Sequence, residues 1–293
     1  MTKVRIACPW DTSENITNRL LCQFKTPEIS LTGIKFVYDD SYDVAVCFNH
    51  ICLEIDSSKQ YYVFPHEPFW SGSHQKEYSE PNCTVLGFCR EGYIGNNIVT
   101  SAYTFYGGRG PWIDKLDIWN YNNIANTNFK DKSKGISSCI TGINYSYGLY
   151  PKRVNVLNQL KDASHIEFFG VGDYKFKHTN NSPRKIDCTE NFKFNLSIEN
   201  DCHDNWVTEK FFDAILTDCI PIYYGCLNIK ELFPEDGYIL LDNINDMEYV
   251  QDTLVDINNN KDKIYNQKIK GARKIKERYF KDHNLLKKII EIL

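Results

Sequence analysis

The residues best suited to chemistry lie close together in FKFNLSIENDCHDNWVTEKFFDAILTDCIPIYYG, residues 192–225. An apolar run ends in Glu199 and Asn200, a polar loop follows, and Thr208, Glu209 and Lys210 open a second apolar segment. A strand, a loop and a helix start in that order make a ligand-facing edge in α/β folds. Thr208 is suited to cap the helix, and the unpaired N–H groups of a first turn favour anions. Lys210 in that turn opposes the helix dipole, at a cost of a few tenths to about 1 kcal/mol when no anion is bound. A diphosphate fits such a corner. Glu209 alone is ordinary first-turn chemistry and Asn200 an ordinary loop residue, so neither marks a ligand by spacing.

The elements that must position this corner follow from hydrophobic periodicity. Apolar runs predict strands at 4–8, 34–38, 44–48, 61–64, 136–143, 165–170, 192–198, 220–224 and 238–241, with helices at 14–24, 153–161 and 208–217. That alternation predicts an α/β fold with mainly parallel sheets. From 71 to 128 the pattern weakens around Gly107, Gly108, Gly110 and Pro111, which reads as long structured loops near a working surface. The aromatics Trp70, Tyr103, Tyr106, Trp112 and Trp119 there either stack on sugar rings or fill a core. The polar, lysine-bearing NTNFKDKSKG at 126–135 predicts a boundary between a first domain, 1–130, and a second, 131–260. The remainder, 261–293, carries Ile264, Ile269, Ala272, Ile275 and Tyr279 and then Leu285, Leu286, Ile289, Ile290 and Leu293 at near-helical spacing. It predicts amphipathic helices packed on the domains with lysines in solvent, weak contact with an anionic membrane surface being the alternative.

At 293 residues the chain exceeds one ordinary core, which favours two domains with a cleft between them. A net charge of −4 gives no reason to expect a polyanionic partner and argues against nucleic-acid binding. The opening MTKVRIACPW lacks a signal-peptide pattern and no run reaches the length of a membrane span, so a cytoplasmic chain is the expectation. Eleven cysteines without a CxxC pair read as buried thiols, and the sequons at Asn15, Asn82, Asn144 and Asn195 as chance.

Taken together and in order, Phe194, Glu199, Asn200, Trp206, Thr208, Glu209, Lys210, Pro221, Tyr223 and Gly225 resemble the signature of glycosyltransferase family 10, the α1,3/α1,4-fucosyltransferases. Upstream, ITGINYSYGLYPKRVNVLNQL resembles the family's donor-domain opening, with Arg153 in place of its arginine, and FFGVGDYK, with Gly172, resembles its sugar-nucleotide turn. The likeness covers roughly residues 134–245. It implies a GT-B architecture, two Rossmann-like domains facing across a cleft with C-terminal helices, and GDP-fucose held by the second domain.

The resemblance implies roles by position. Arg153, which alone reads as a solvated helix residue, and Lys210 would bind the diphosphate and stabilise charge building on GDP. Glu209 would lie near the ribose and fucose, with Asn200 and Trp206 shaping the donor pocket; Trp206 stands where relatives often carry tyrosine, leaving stacking or backbone contact. Inverting transfer also needs a base for the acceptor hydroxyl. In the family this is a glutamate just past an early strand, which implies Glu67 in QYYVFPHEPFW, with His66 the runner-up. No metal or other cofactor is expected to be obligatory, and Cys202 and His203 are too close to suggest zinc. The expected partners are GDP-fucose and a glycan acceptor, reached at O3 of an N-acetylglucosamine or glucose unit. A transferase using another GDP-sugar and a non-catalytic glycan-binding relative are the alternatives.

Overall fold

A computed structural model describes residues 1–67, 80–88, 96–100, 104–105, 119–129, 132–140, 145–169 and 185–293. The first half contains β1 (Thr2–Ala7), α1 (Ser13–Phe24), β2 (Ile34–Phe36), β3 (Val44–Phe48), β4 (Gln60–Phe64), β5 (Cys83–Gly87), β6 (Asn96–Val99) and α2 (Tyr121–Asn126). Thr12 caps α1 by accepting the Asn15 N–H, and Ile16, Leu20 and Phe24, spaced four apart, bury one face of the helix. The strands pair in parallel in the order β2-β1-β3-β4-β5-β6. Strands β5 and β6 fall inside the stretch read as loops. β5, CTVLG, is buried on both faces and shows no alternation, while β6 is a largely exposed edge strand beginning Asn-Asn, so neither carries a periodic signal.

The second half begins with β7 (Lys134–Cys139), α3 (Tyr150–Leu160), β8 (Ile166–Phe169) and β9 (Phe192–Ile198). It continues through α4 (Glu209–Leu216), β10 (Ile220–Tyr224), α5 (Ile229–Leu232), β11 (Ile239–Leu240), α6 (Met247–Asn259), α7 (Lys261–Asp282) and α8 (Leu285–Ile292). Its sheet is also parallel, ordered β11-β10-β9-β7-β8. Because β7 lies between the second and third strands of this half, the winding reverses between β7 and β9. In open α/β sheets such a reversal opens a crevice at the carboxyl ends of the two strands, which is where a ligand binds. The segments leaving those ends are the β7–α3 connection and Glu199–Asn200. The first sheet reverses in the same way between β1 and β3, beside the end of β4.

The last two helices join the halves. α7 packs on α4 and α2, and α8 packs on α1. The Tyr279 hydroxyl donates to the Thr104 carbonyl (2.8 Å), and the Asn284 amide donates to the carbonyls of Phe24 (2.8 Å) and Phe280 (3.0 Å). Ala272, Ile275, Tyr279, Leu285, Leu286 and Ile289 are buried in the core cluster these helices complete. Most of the apolar stripe thus packs on the protein's own core, as the first of the two expectations has it, with Ile264, Ile269 and Ile290 partly buried and Leu293 exposed. Among the described residues no helix is long and apolar enough to cross a membrane. The ten described cysteines are free thiols and most are buried, and Asn195 is buried in β9, bonded to Ser137 and Ser197.

Candidate active site

The corner predicted at Glu199–Lys210 is built around a fully buried carboxylate. Glu199 Oε1 accepts the Thr208 N–H (2.8 Å), Oε2 accepts the Thr208 hydroxyl (2.6 Å), and the Tyr223 hydroxyl donates to Oε1 (3.3 Å). Thr208 in turn accepts the Lys210 N–H at the head of α4 (3.4 Å). Lys210 Nζ is thereby gathered among Thr208 Oγ1 (3.1 Å), Glu209 Oε1 (3.1 Å) and Glu199 Oε2 (3.5 Å). Burial and the Glu199 charge together push the Tyr223 phenol far above its ordinary range, so it remains a donor.

Gly225 closes the same corner. A Cβ there would stand 2.3 Å from Glu199 Cγ and 2.6 Å from its Cβ, so a side chain at 225 and the carboxylate's present position exclude each other. The glycine that ends the Pro-Ile-aromatic strand is therefore the space Glu199 occupies.

Arg153 enters from α3, whose first turn carries Pro151 and whose start is tied to the corner by the Leu149 N–H donating to the Asn200 carbonyl (2.8 Å). The side chain is not solvated, as its sequence position alone suggests, but buried to 2 % exposure. Nη1 donates to Asn200 Oδ1, the guanidinium lies over the Tyr150 ring at 5.1 Å, and Nε has no hydrogen-bond partner. Burial lowers its pKa, against the opposing pull of Tyr150, Glu199 and Glu209. Arginine stays protonated in proteins, so the result is a desolvated cation with an unused donor between Asn200 and Tyr150.

Trp206 is placed differently from the expectation. It is 1 % exposed and its ring packs on Phe88 of the first half at 4.5 Å, within the apolar cluster over the first sheet that contains Ala45, Tyr61 and Val85. Asn205, at φ 60°, donates from Nδ2 to the Phe88 carbonyl (3.1 Å) and fixes the same junction. Among the described residues the indole thus packs on the first half, and its Nε1–H has no hydrogen-bond partner. Gly172, the other donor-side expectation, lies outside the described residues, as do Trp70, Tyr103, Tyr106 and Trp112. Trp119 is buried in the core.

On the first-domain side, Asn49 adopts φ 70° after β3 and its Oδ1 accepts the His66 N–H (2.8 Å), fixing the chain as it leaves β4. His66 is buried between Phe48 (5.0 Å), Phe105 (5.8 Å) and Trp10 (6.3 Å). Glu67, next in sequence, is half-buried and directed differently: its charge acts on tyrosines of the second domain. The Tyr150 phenol is pushed up to about 12, by burial first and then by Glu67, and burial, Tyr145 and Glu67 raise Tyr147. The fold therefore gathers Arg153, Asn200, Glu199, Glu209 and Lys210 at one corner, with Tyr150 against Arg153 and within range of the Glu67 charge. A cavity of about 840 Å³ opens elsewhere, at the opposite ends of the second sheet's strands, lined in part by Tyr121, Asp218, Arg273 and Phe280, and includes none of these residues.

Two Rossmann-like halves with a cationic corner at the switch point of the second define a GT-B glycosyltransferase fold. A solved α1,3-fucosyltransferase with GDP shares that fold, with a TM-score of 0.55 over 92 % of this chain and 81 % of that one at 15 % identity. The DNA modifying enzyme β-glucosyltransferase does so with a TM-score of 0.52 over 99 % of both chains at 10 % identity. The chain belongs to glycosyltransferase family 10 (fucosyltransferase), whose C-terminal family model matches residues 129–284, over half of its length. Human 4-galactosyl-N-acetylglucosaminide 3-alpha-L-fucosyltransferase 9 is 28 % identical over 117 residues, 39 % of this chain and 31 % of that protein. The alpha-(1,4)-fucosyltransferase of Arabidopsis thaliana is 40 % identical over 48 residues, 16 % of this chain and 12 % of that protein. The chain spans less than a third of the length of the curated relatives it matches.

Proposed function

We propose that this protein transfers L-fucose from GDP-fucose to a hydroxyl of a glycan, with inversion and without an obligatory metal. The observation that carries the reading is the pair of cations at the switch point, the desolvated Arg153 held by Asn200 and Lys210 held by the neighbouring Glu199. In the reaction Glu67 accepts the proton of the acceptor hydroxyl as its oxygen bonds to the anomeric carbon. The bond from that carbon to the phosphate oxygen breaks on the opposite face, and GDP leaves with the electron pair. Arg153 and Lys210 meet the charge that develops on the departing diphosphate, and the low-dielectric setting of Arg153 strengthens that effect. Glu209 is released from Lys210 when the diphosphate takes its place and becomes an acceptor for ribose or fucose hydroxyls. Because the diphosphate has two protein cations, the mechanism needs no divalent ion to neutralise it.

The α1,3-fucosyltransferase names among its relatives support O3 of an N-acetylglucosamine or glucose unit as the acceptor position. The test is transfer from GDP-fucose, GDP-mannose and GDP-glucose to an oligosaccharide panel, reading GDP release and the anomeric configuration of the product by NMR. An α-fucosylated glycan made only from GDP-fucose is expected. Transfer of another sugar overturns the donor, retention overturns the displacement, and GDP binding without transfer to any glycan overturns the activity.

A further inference from the structure

Next to Arg153, the end of the β7–α3 connection and the first residue of α3 present three tyrosines to which the family resemblance gives no role. Tyr145 and Tyr147 are stacked, with ring centroids 5.0 Å apart and planes 13° from parallel. Tyr150 meets both edge-on, at 5.0 Å and 82° and at 5.7 Å and 86°. Tyr150 is itself fixed beneath the Arg153 guanidinium. The outer pair is open: Tyr145 is 44 % exposed and Tyr147 38 %. Other exposed apolar side chains lie elsewhere on the surface, but here two large aromatic rings are held in register, partly open to water, on a tyrosine that itself lies under a buried cation.

We infer that Tyr145 and Tyr147 form the platform on which a pyranose ring of the acceptor glycan stacks, resting on the functional reading above. The position follows from the order of groups along the reaction. The donor runs guanosine, diphosphate, fucose; the diphosphate belongs to Arg153 and Lys210, and the acceptor oxygen belongs to Glu67. A surface under Glu67's charge is at the acceptor end of that line, and guanine lies beyond the diphosphate in the other direction. Tyrosine suits a sugar: the negative face of the ring attracts the C–H groups of one pyranose face, the hydroxyl bonds at its rim, and few rotors must be ordered. Pinning by Tyr150 and Arg153 means that donor-side residues also set the tilt of the platform.

The test compares wild-type protein with the Tyr145→Ala/Tyr147→Ala double variant and with Tyr147→Phe and Tyr147→Trp, using GDP-fucose and β-galactosyl-1,4-N-acetylglucosamine. The double variant should raise the acceptor KM about tenfold, the scale of lost aromatic contacts, with GDP affinity and donor KM within about twofold. Tyr147→Phe and Tyr147→Trp, which keep the aromatic face, should stay within about threefold of wild type. An unchanged acceptor KM, or a loss confined to GDP or GDP-fucose, overturns the platform while leaving the transferase reading intact. Should the wild type fucosylate no glycan, that reading falls, and saturation-transfer NMR with an oligosaccharide panel still decides the platform. Binding abolished by the double variant supports it; binding unaffected, or none at all, overturns it.

Discussion

The Glu199–Gly225 corner of the second half and the edge after β4 in the first are held in contrasting ways. In the corner, residues within one short stretch of chain satisfy one another: Glu199 fastens Thr208, Thr208 caps α4, and Lys210 is drawn back onto both carboxylates. The first-domain edge is assembled from residues far apart in sequence, with Asn49 holding His66 and Glu67 acting on tyrosines 80 or more residues further on. The lesson is that a site for a fixed, strongly charged group can be encoded locally and built rigid before the ligand arrives. A site that must bring an acceptor's proton to a base is completed only when the domains are in place.

Substitutions test this contrast. Glu67→Gln should lower kcat by ~100- to 10,000-fold, the range of a general base, with GDP affinity unchanged by calorimetry. A variant that turns over normally would leave the first-domain edge without a chemical role. Lys210→Met should reduce kcat by about 100- to 1,000-fold and weaken GDP binding too, because its ammonium meets the leaving group directly. If GDP affinity stayed intact, the corner would not be the diphosphate site. Gly225→Ala tests the corner without removing any charge: overpacking against Glu199 should cost about 1–3 kcal/mol in urea unfolding and loosen GDP, since Lys210 loses its support. Trp206→Phe should cost about 1–2 kcal/mol through the void left beside Phe88, with GDP affinity unaltered; a tenfold loss of GDP would return the indole to the donor pocket. Smallest of all, excess EDTA should change turnover by less than about twofold, and loss restored by added Mg²⁺ would overturn metal independence.

The corner was legible because its residues are contiguous. Acid-Asn, Thr-Glu-Lys and the strand-ending glycine each have a local physical reason, and the structure supplies the one spacing could not give, the Glu199 side chain lying where a Cβ at 225 would be. Arg153 was legible only through its family context, since a lone arginine in an amphipathic helix reads as a surface residue and its burial depends on Tyr150 and Asn200. The packing of Trp206 was not legible, because its ring partner Phe88 is more than a hundred residues away. Strands β5 and β6 escaped because one is apolar throughout and the other polar at its start. Tyr145 and Tyr147 were hidden in plain view: in the family-like stretch that contains NYSYGLY only Arg153 carries a role by position, and it is the fold that stacks the two rings on Tyr150.

The last two helices carry a consequence for how the chain is made. Phe24 and Thr104 receive their bonds from Asn284 and Tyr279, contacts separated by 260 and 175 residues. During synthesis the first domain leaves the ribosome with the α1 surface that α8 covers still bare, and it stays so until residues 285–292 have emerged. Such distant closure slows folding and prolongs exposure of an aggregation-prone face. Nascent chains halted before residue 279 should therefore engage chaperones through α1, although every strand of both sheets has already been synthesised.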